Sequence, residues 1–307
     1  MNEVAAIVVT YNRKDLLLGC IEHLSALKNA KADILIIDNA STDGTKEALE
    51  SLIDSQAIIY CNTGANLGGA DGFQYGMKEA LRRGYKYLWL MDDDVYPEPE
   101  SLEALLSTDR ELNGKYGFLS GIARWTDGTP CKMNIQKTGL KKTIEDYSSP
   151  TVPVIMATFV SFFVKAETVM EVGLPIKEFF IWADDFEYSR RISLKYPCYA
   201  VNASIVVHNM KSNNKVGIEH EHSDRLWRYK YLYRNEVYIY RREGLKARLY
   251  LFLRVCLHIA RVLFKSKEAK KEKISVILSS YHAGSTFMPL VEFYNVESNQ
   301  NGEIIQS

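Results

Sequence analysis

Tyr87-Leu88-Trp89-Leu90-Met91-Asp92-Asp93-Asp94 is the stretch on which the reading of this chain turns. Five apolar residues in a row suit a short strand buried on both faces. The three carboxylates that end it put fixed negative charge at the C-terminal edge of a sheet. Carboxylates this close repel and raise one another's pKa, so they need a cation or a set of donors to persist. An oxygen-only cluster suits Mg²⁺ or Mn²⁺ better than zinc. The plain alternative is a solvated acidic turn helped by Pro97 and Pro99.

The sequence on either side repeats the pattern. Val4 to Thr10, Asp33 to Asp38 and Ala57 to Asn62 are short apolar runs, and helical spacing separates them at Lys14 to Leu27, Lys46 to Ile53 and Gly72 to Arg83. Strands alternating with helices of this length predict βαβ units, a parallel sheet and an α/β fold. Ligands of such sheets bind beyond the carboxyl ends of the strands. Tyr11-Asn12, Asp38-Asn39, Asn66 to Gly69 and Asp92 to Asp94 all fall at that edge. From Arg124 to Pro153 the pattern is irregular and reads as an insertion or flap. Val160 to Lys165 reads as a strand, Ala166 to Val172 and Asp184 to Leu194 as helices, and Ser204 to His208 as a last short strand.

Composition narrows the class. The chain has 307 residues, no formal net charge and pI about 7.0, so no nucleic-acid partner is expected. Its five cysteines form no CxxC pair, which favours reduced thiols over a disulfide framework or structural zinc. Met1-Asn2-Glu3 enters the first strand directly, and a cytoplasmic location is expected. The neutral total hides an asymmetry: Arg241 to Lys273 holds eleven basic residues against three acidic ones, a net of +8. From Glu221 onward the pattern is helical. In the apolar segment Leu245 to Phe264, Arg254, His258, Arg261 and Lys265 recur as one polar stripe. An interfacial helix on an anionic membrane fits this stripe better than a spanning one. Packing on the domain or a second subunit, hence a homo-oligomer, is the alternative.

Several ordered motifs together resemble inverting family 2 glycosyltransferases. They are Thr10-Tyr11-Asn12-Arg13, Ile37-Asp38-Asn39-Ala40-Ser41-Thr42-Asp43-Gly44, Asn66-Leu67-Gly68-Gly69, the aspartate triplet, and Trp182-Ala183-Asp184-Asp185-Phe186-Glu187. The last three resemble the branch containing galactofuranosyltransferases and rhamnosyltransferases. The resemblance spans roughly residues 4 to 210. It implies a GT-A fold, a Rossmann-like, mostly parallel mixed sheet flanked by helices. A catalytic domain over residues 1–220 would carry a helical region over 221–307 that docks on a membrane or oligomerises.

The resemblance also implies roles. Thr10, Tyr11, Asn12, Asp38, Asn39, Asn66, Gly68, Gly69, Asp92 and Asp93 would bind a nucleoside diphosphate sugar, with Asp38 at the uracil or ribose. The plain alternative for Asp38 is an Asx turn capping the next helix, and for Gly68 and Gly69 a tight turn. Asp94, Asp92 and His208 would hold Mn²⁺ or Mg²⁺. Asp185 would take the acceptor's proton, Asp184 would bind acceptor hydroxyls, and Trp182 would form a platform for a sugar. Helix N-capping is the plain alternative for both aspartates. Ala183 departs from the pattern, in which Trp directly precedes the acidic pair. The implied reaction is an inverting, metal-dependent transfer from UDP-galactofuranose or another UDP-hexose to a glycan or lipid-linked acceptor at the inner face of the cell membrane. A dTDP-rhamnose enzyme is the near alternative. A non-catalytic nucleotide-sugar-binding assembly subunit is the rival of another class. A nucleotidyltransferase should show a basic glycine-rich loop after strand one, which Thr10-Tyr11-Asn12-Arg13 is not.

Overall fold

Val4–Thr10 forms the central strand β1, buried at all seven positions. The computed structural model describes residues 2–214 and 217–295 of the chain. Ala5, Ile7 and Val9 of β1 pack into one core, while Val4, Ala6 and Val8 pack into another on the opposite face. That is what a period-two strand covered on both sides requires. α1 (Lys14–Ser25) turns Leu17, Cys20, Ile21 and Leu24 onto the second core. β2 (Asp33–Asp38), α2 (Thr45–Asp54), β3 (Ile59–Asn62), α3 (Gly68–Arg82) and β4 (Tyr87–Asp92) continue the alternation. β2 and β4 flank β1 in parallel and β3 joins β2 in parallel, so four strand ends meet at one edge.

α3 starts at Gly68, four residues before the expected Gly72. A Cβ on Gly72 would lie 2.7 Å from Val9 Cγ1, and one on Gly76 would lie 2.5 Å from Ile7 Cγ2. The glycines therefore let the helix lie close against β1, beside the apolar stripe of Phe73, Met77, Ala80 and Leu81 that packs into the same core.

Beyond β4 the sequence reading passed over β5 (Val95–Pro97), α4 (Ser101–Glu111), β6 (Phe118–Arg124) and β7 (Thr151–Pro153). The expected β8 (Phe162–Lys165), α5 (Ala166–Val172) and α6 (Asp184–Ser193) follow. β9 runs from Tyr199 to His208, five residues longer than expected at its start. A register shift opposite Gly121/Ile122 takes the polar Asn202 to Ser204 out of the ladder, which breaks the apolar run that would have announced the strand. The sheet order is β3-β2-β1-β4-β8-β6-β9-β5, with β7 on β9. β8 is antiparallel to β4 and β6, while β9 is parallel to β6. The C-terminal end of β9 thus returns to the edge where β1, β2 and β4 end.

α7 (Trp227–Arg242), α8 (Leu245–Lys265) and α9 (Lys270–Thr286) close the chain. They share a third core with Ile176 and Phe179. Here the structure corrects the polar stripe. Arg254 is ion-paired with Glu236 of α7, and His258 Nδ1 lies 2.9 Å from the Tyr233 hydroxyl. These two residues face the protein, and only Arg261 and Lys265 of the stripe are exposed. The outward face of α8 is apolar. Leu245 to Phe264 is apolar almost all round, so its orientation is set by the acidic partner on α7, which a one-helix reading does not include. No helix among the described residues is long and apolar enough to cross a membrane. The polar tail after Val296 lies outside the described residues.

Candidate active site

The aspartate triplet turns the chain from β4 into β5. β5 then pairs antiparallel with β9, placing Val95 opposite His208, and Asn209 N–H donates to Asp94 O at 2.8 Å. This hairpin-like pairing brings His208 to the acidic turn although β8 and β6 separate β4 from β9 in the sheet. His208 Nε2 lies 3.0 Å from Asp94 Oδ1. Asp92, Asp94 and His208 can each offer one ligand atom, and those atoms lie within 4.8 Å of one another. Two carboxylate oxygens and one imidazole nitrogen are a donor set that fits a divalent cation.

The charge balance around this group is uneven. Burial pushes the Asp92 carboxyl up to about 7, reinforced by Asp94. Burial likewise lifts Asp93 to about 6 against the pull of Arg13. Burial also opposes ionisation of Asp94, but its hydrogen bond to His208 and the charges of His208 and Arg13 hold it below the usual range. Burial would lower His208, yet the hydrogen bond to Asp94 raises it to about 10. Arg13 spans the other side of the turn, with NH1 2.7 Å from Asp93 and NH2 2.9 Å from Asp94. The Thr10 hydroxyl donates to Asp93 Oδ2 at 2.7 Å. Asp93 is therefore held by β1 and the residues after it, outside the grouping of Asp92, Asp94 and His208.

Behind the histidine stands a residue that sequence reading missed. His208 Nδ1 lies 2.9 Å from Asn134 Oδ1, which also accepts from the Cys131 thiol at 2.9 Å. The Asn134 amide donates to Thr158 Oγ1 at 3.1 Å, which sets its oxygen towards the ring. All four side chains are buried. Without a metal Nε2–H donates to Asp94. With Nδ1–H held by Asn134, loss of the Nε2 proton would leave its lone pair to a cation, the usual arrangement behind a metal-binding imidazole. No motif marks Asn134, because it lies in the irregular insertion.

A cleft of about 1160 Å³ opens beside the triplet. Thr10, Tyr11, Asn12, Asn39, Asn66, Gly68, Gly69, Asp92 and Asp93 line it, as do the unanticipated cations Arg13, Lys14, Lys211, Arg225 and Arg228. Gly68 has φ +78°, and a Cβ there would lie 2.4 Å from Phe180 O, so only glycine fits. Asn66 Oδ1 accepts from Gly68 N–H, and Asn39 Nδ2 donates to Gly68 O. Asp38 is not among the residues that line the cleft. It is fully buried, taking Ser41 N–H on one oxygen and the Tyr60 hydroxyl on the other. Here it closes an Asx turn, and Asn39 and Asp43 face the cleft in its place.

Phe180, Trp182 and Ala183 all have left-handed φ, 62°, 66° and 66°, and each costs of order 1 kcal/mol. Asn235 of α7 holds this loop by donating to the carbonyls of Phe179 and Trp182 at 3.0 and 2.9 Å. Trp182 stacks edge-on against Tyr229 of α7. The loop delivers Asp184 and Asp185 to the start of α6. Burial lifts Asp184 to about 6. Burial lifts Asp185 well above the usual range, with the charges of Asp184 and Asp92 adding to it. Glu187 is committed to Arg191. Asp185 Oδ1 accepts from the N–H of its neighbour Phe186 at 2.7 Å. Glu187 is thus engaged, while neither Asp184 nor Asp185 is in an ion pair among the described residues.

The family model of Glycosyl transferase family 2 matches residues 5–167. The chain belongs to this family. A glycosyltransferase of this kind is an enzyme, and its sheet is the GT-A fold. The family 2 chain is 28% identical over 198 residues to galactofuranosyltransferase GlfT1 of Mycobacterium tuberculosis, covering 62% of this chain and 64% of the relative. The match thus spans under two thirds of that relative's length. Among solved structures, TarS of S. aureus superposes with a TM-score of 0.56 at 13% identity, covering 94% of this chain and 44% of that one. A mannosyltransferase of Pyrobaculum calidifontis, solved with GDP-Man and Mn²⁺, gives a TM-score of 0.56 at 16% identity, with 94% and 76% covered.

Proposed function

We propose that this glycosyltransferase is inverting and metal-dependent, and moves a hexose from a UDP-linked donor to a glycan or lipid-linked acceptor in cell-surface polysaccharide synthesis at the inner membrane face. UDP-galactofuranose is the favoured donor. The observation that carries the reading is the grouping of Asp92, Asp94 and His208 beside a cation-lined cleft. The galactofuranosyltransferase relative supports the choice of sugar.

A divalent cation held by Asp92, Asp94 and His208, Mn²⁺ favoured by the imidazole, would act as a Lewis acid neutralising the leaving diphosphate. Thr10, Arg13, Asn39 and Gly68 line the side where the nucleotide would lie. Trp182 and Asp184 would hold the acceptor. Asp185 would take the proton from the acceptor hydroxyl while that oxygen forms its bond to the anomeric carbon. The bond to the diphosphate breaks on the opposite face, and its electron pair leaves with UDP.

The test is turnover and binding across a panel of nucleotide sugars with Mn²⁺ and with EDTA. Asp185→Asn should lower transfer by about 10²–10⁴-fold while donor affinity holds. An active Asp185→Asn enzyme, or full turnover in chelator, would overturn the mechanism. Preference for dTDP-rhamnose would replace the donor, and donor binding without any turnover would mark an assembly subunit.

A further inference from the structure

The outward face of α8 has no partner among the described residues and is apolar along its length. Leu245, Leu249, Phe252, Leu253, Leu257 and Phe264 recur at helical intervals, with Phe252 52% exposed, Leu253 58% and Phe264 86%. The opposite face, with Leu251, Val255 and Val262, is in the core. A helix already packed on one side gains nothing from displaying a second apolar stripe to water, and contiguous exposed apolar faces mark interaction surfaces. Its two ends are basic. Lys246 and Arg248 stand at the start, and Lys265, Lys267, Lys270 and Lys271 at the end, all exposed. Among the described residues none of these six is in an ion pair, and the four lysines at the end outnumber the adjacent Glu268 and Glu272, so both ends are net positive.

We infer that α8 lies in the interface of an anionic bilayer, with its apolar stripe in the headgroup and acyl boundary and its basic ends on the phosphates. Charge chooses this occupant over a second copy of the chain. A symmetric pairing of two such faces would bring their net positive ends together, whereas an anionic surface neutralises them. The apolar face, rather than the Arg254 stripe, supplies the insertion. The site lies one helix layer away: α8 packs on α7, whose Asn235 holds the loop at Trp182. Lys141, from the same insertion as Asn134, places its Nζ 4.0 Å from the Tyr250 ring of α8. A docked α8 would therefore hold the acceptor loop close to lipid. This purpose rests on the proposed lipid-side acceptor, but binding to vesicles needs no turnover, so either reading can fail alone.

The experiment is co-sedimentation of the full chain with vesicles of phosphatidylglycerol and phosphatidylethanolamine, and with phosphatidylcholine vesicles. Sedimentation velocity without lipid gives the oligomeric state. Wild type should bind the anionic vesicles. The double variant Phe252→Glu/Leu253→Glu should bind them at least about tenfold more weakly with unchanged melting temperature. Phe264→Glu, at the most exposed position, cannot disturb packing and should weaken binding in the same direction. Raising salt from about 0.1 M to about 1 M should reduce binding without abolishing it. Binding that survives both sets of substitutions overturns the assignment. So does a wild-type dimer that ignores vesicles and dissociates on Phe252→Glu/Leu253→Glu, which would make a second copy the occupant.

Discussion

Asp92→Asn should stabilise the metal-free protein and destabilise the metal-loaded one relative to wild type. Burial and the neighbouring Asp94 raise the Asp92 carboxyl from an ordinary value near 4 to about 7. Each pH unit between folded and unfolded values is worth about 1.4 kcal/mol, which sets an upper bound of about 4 kcal/mol at alkaline pH. Asp92 keeps partial contact with water, and solvent screening reduces the expected gain to about 1–2 kcal/mol. For an acid whose folded pKa is raised, the cost is absent below the unfolded value, grows as pH rises from about 4 towards 7, and is complete above. In EDTA the variant should therefore melt a few degrees above wild type at pH 8 and level with it at pH 4.5. With Mn²⁺ at about a hundred times its dissociation constant, wild type gains about 2.7 kcal/mol. Asp92→Asn lacks one of three ligands and should gain far less, so the order reverses. Thermal melts at two pH values with and without metal read all four states. A variant less stable than wild type in EDTA at pH 8, or one stabilised equally by Mn²⁺, would refute the electrostatic reasoning.

Asn134→Leu should weaken Mn²⁺ binding about 10–100-fold, the usual loss when the group orienting a ligating imidazole is removed. Titration by the electron paramagnetic resonance of free Mn²⁺ measures this, and Asn134→Asp, which can still accept from Nδ1–H, should hold near wild type. Equal affinity in Asn134→Leu would remove the orienting role. Gly68→Ala should cost about 2–4 kcal/mol from left-handed strain and the clash with Phe180 O, and it should weaken nucleotide-sugar binding, seen by melting and calorimetry. Unchanged stability would show that the loop at Phe180 moves freely.

The candidate site was partly visible in the sequence because strand ends in a parallel sheet meet at one edge by construction. Thr10, Asn39, Gly68 and Asp92 follow from that rule, since each directly ends an apolar run or opens the next helix. Asn134 and Arg13 do not. Their roles come from long-range contacts, Asn134 reaching His208 across 74 positions and Arg13 reaching Asp93 across 80. Nor does the position of Asp38 alone reveal that Tyr60 and Ser41 engage its oxygens.

By itself the sequence determined the alternation of strands and helices, the acidic turn after β4 and the family. Local hydrophobic period and ordered motifs carry that information along the chain. Only the tertiary structure decided that β5 returns along β9 to join His208 to Asp94. It also decided that α3 rests on glycines and that α8 turns Arg254 inward and Leu249, Phe252 and Leu253 outward. Each of these depends on a partner distant in the chain: an antiparallel strand, the methyl groups of β1, and the carboxylate of Glu236. A pattern confined to one segment cannot specify which neighbour its faces will meet.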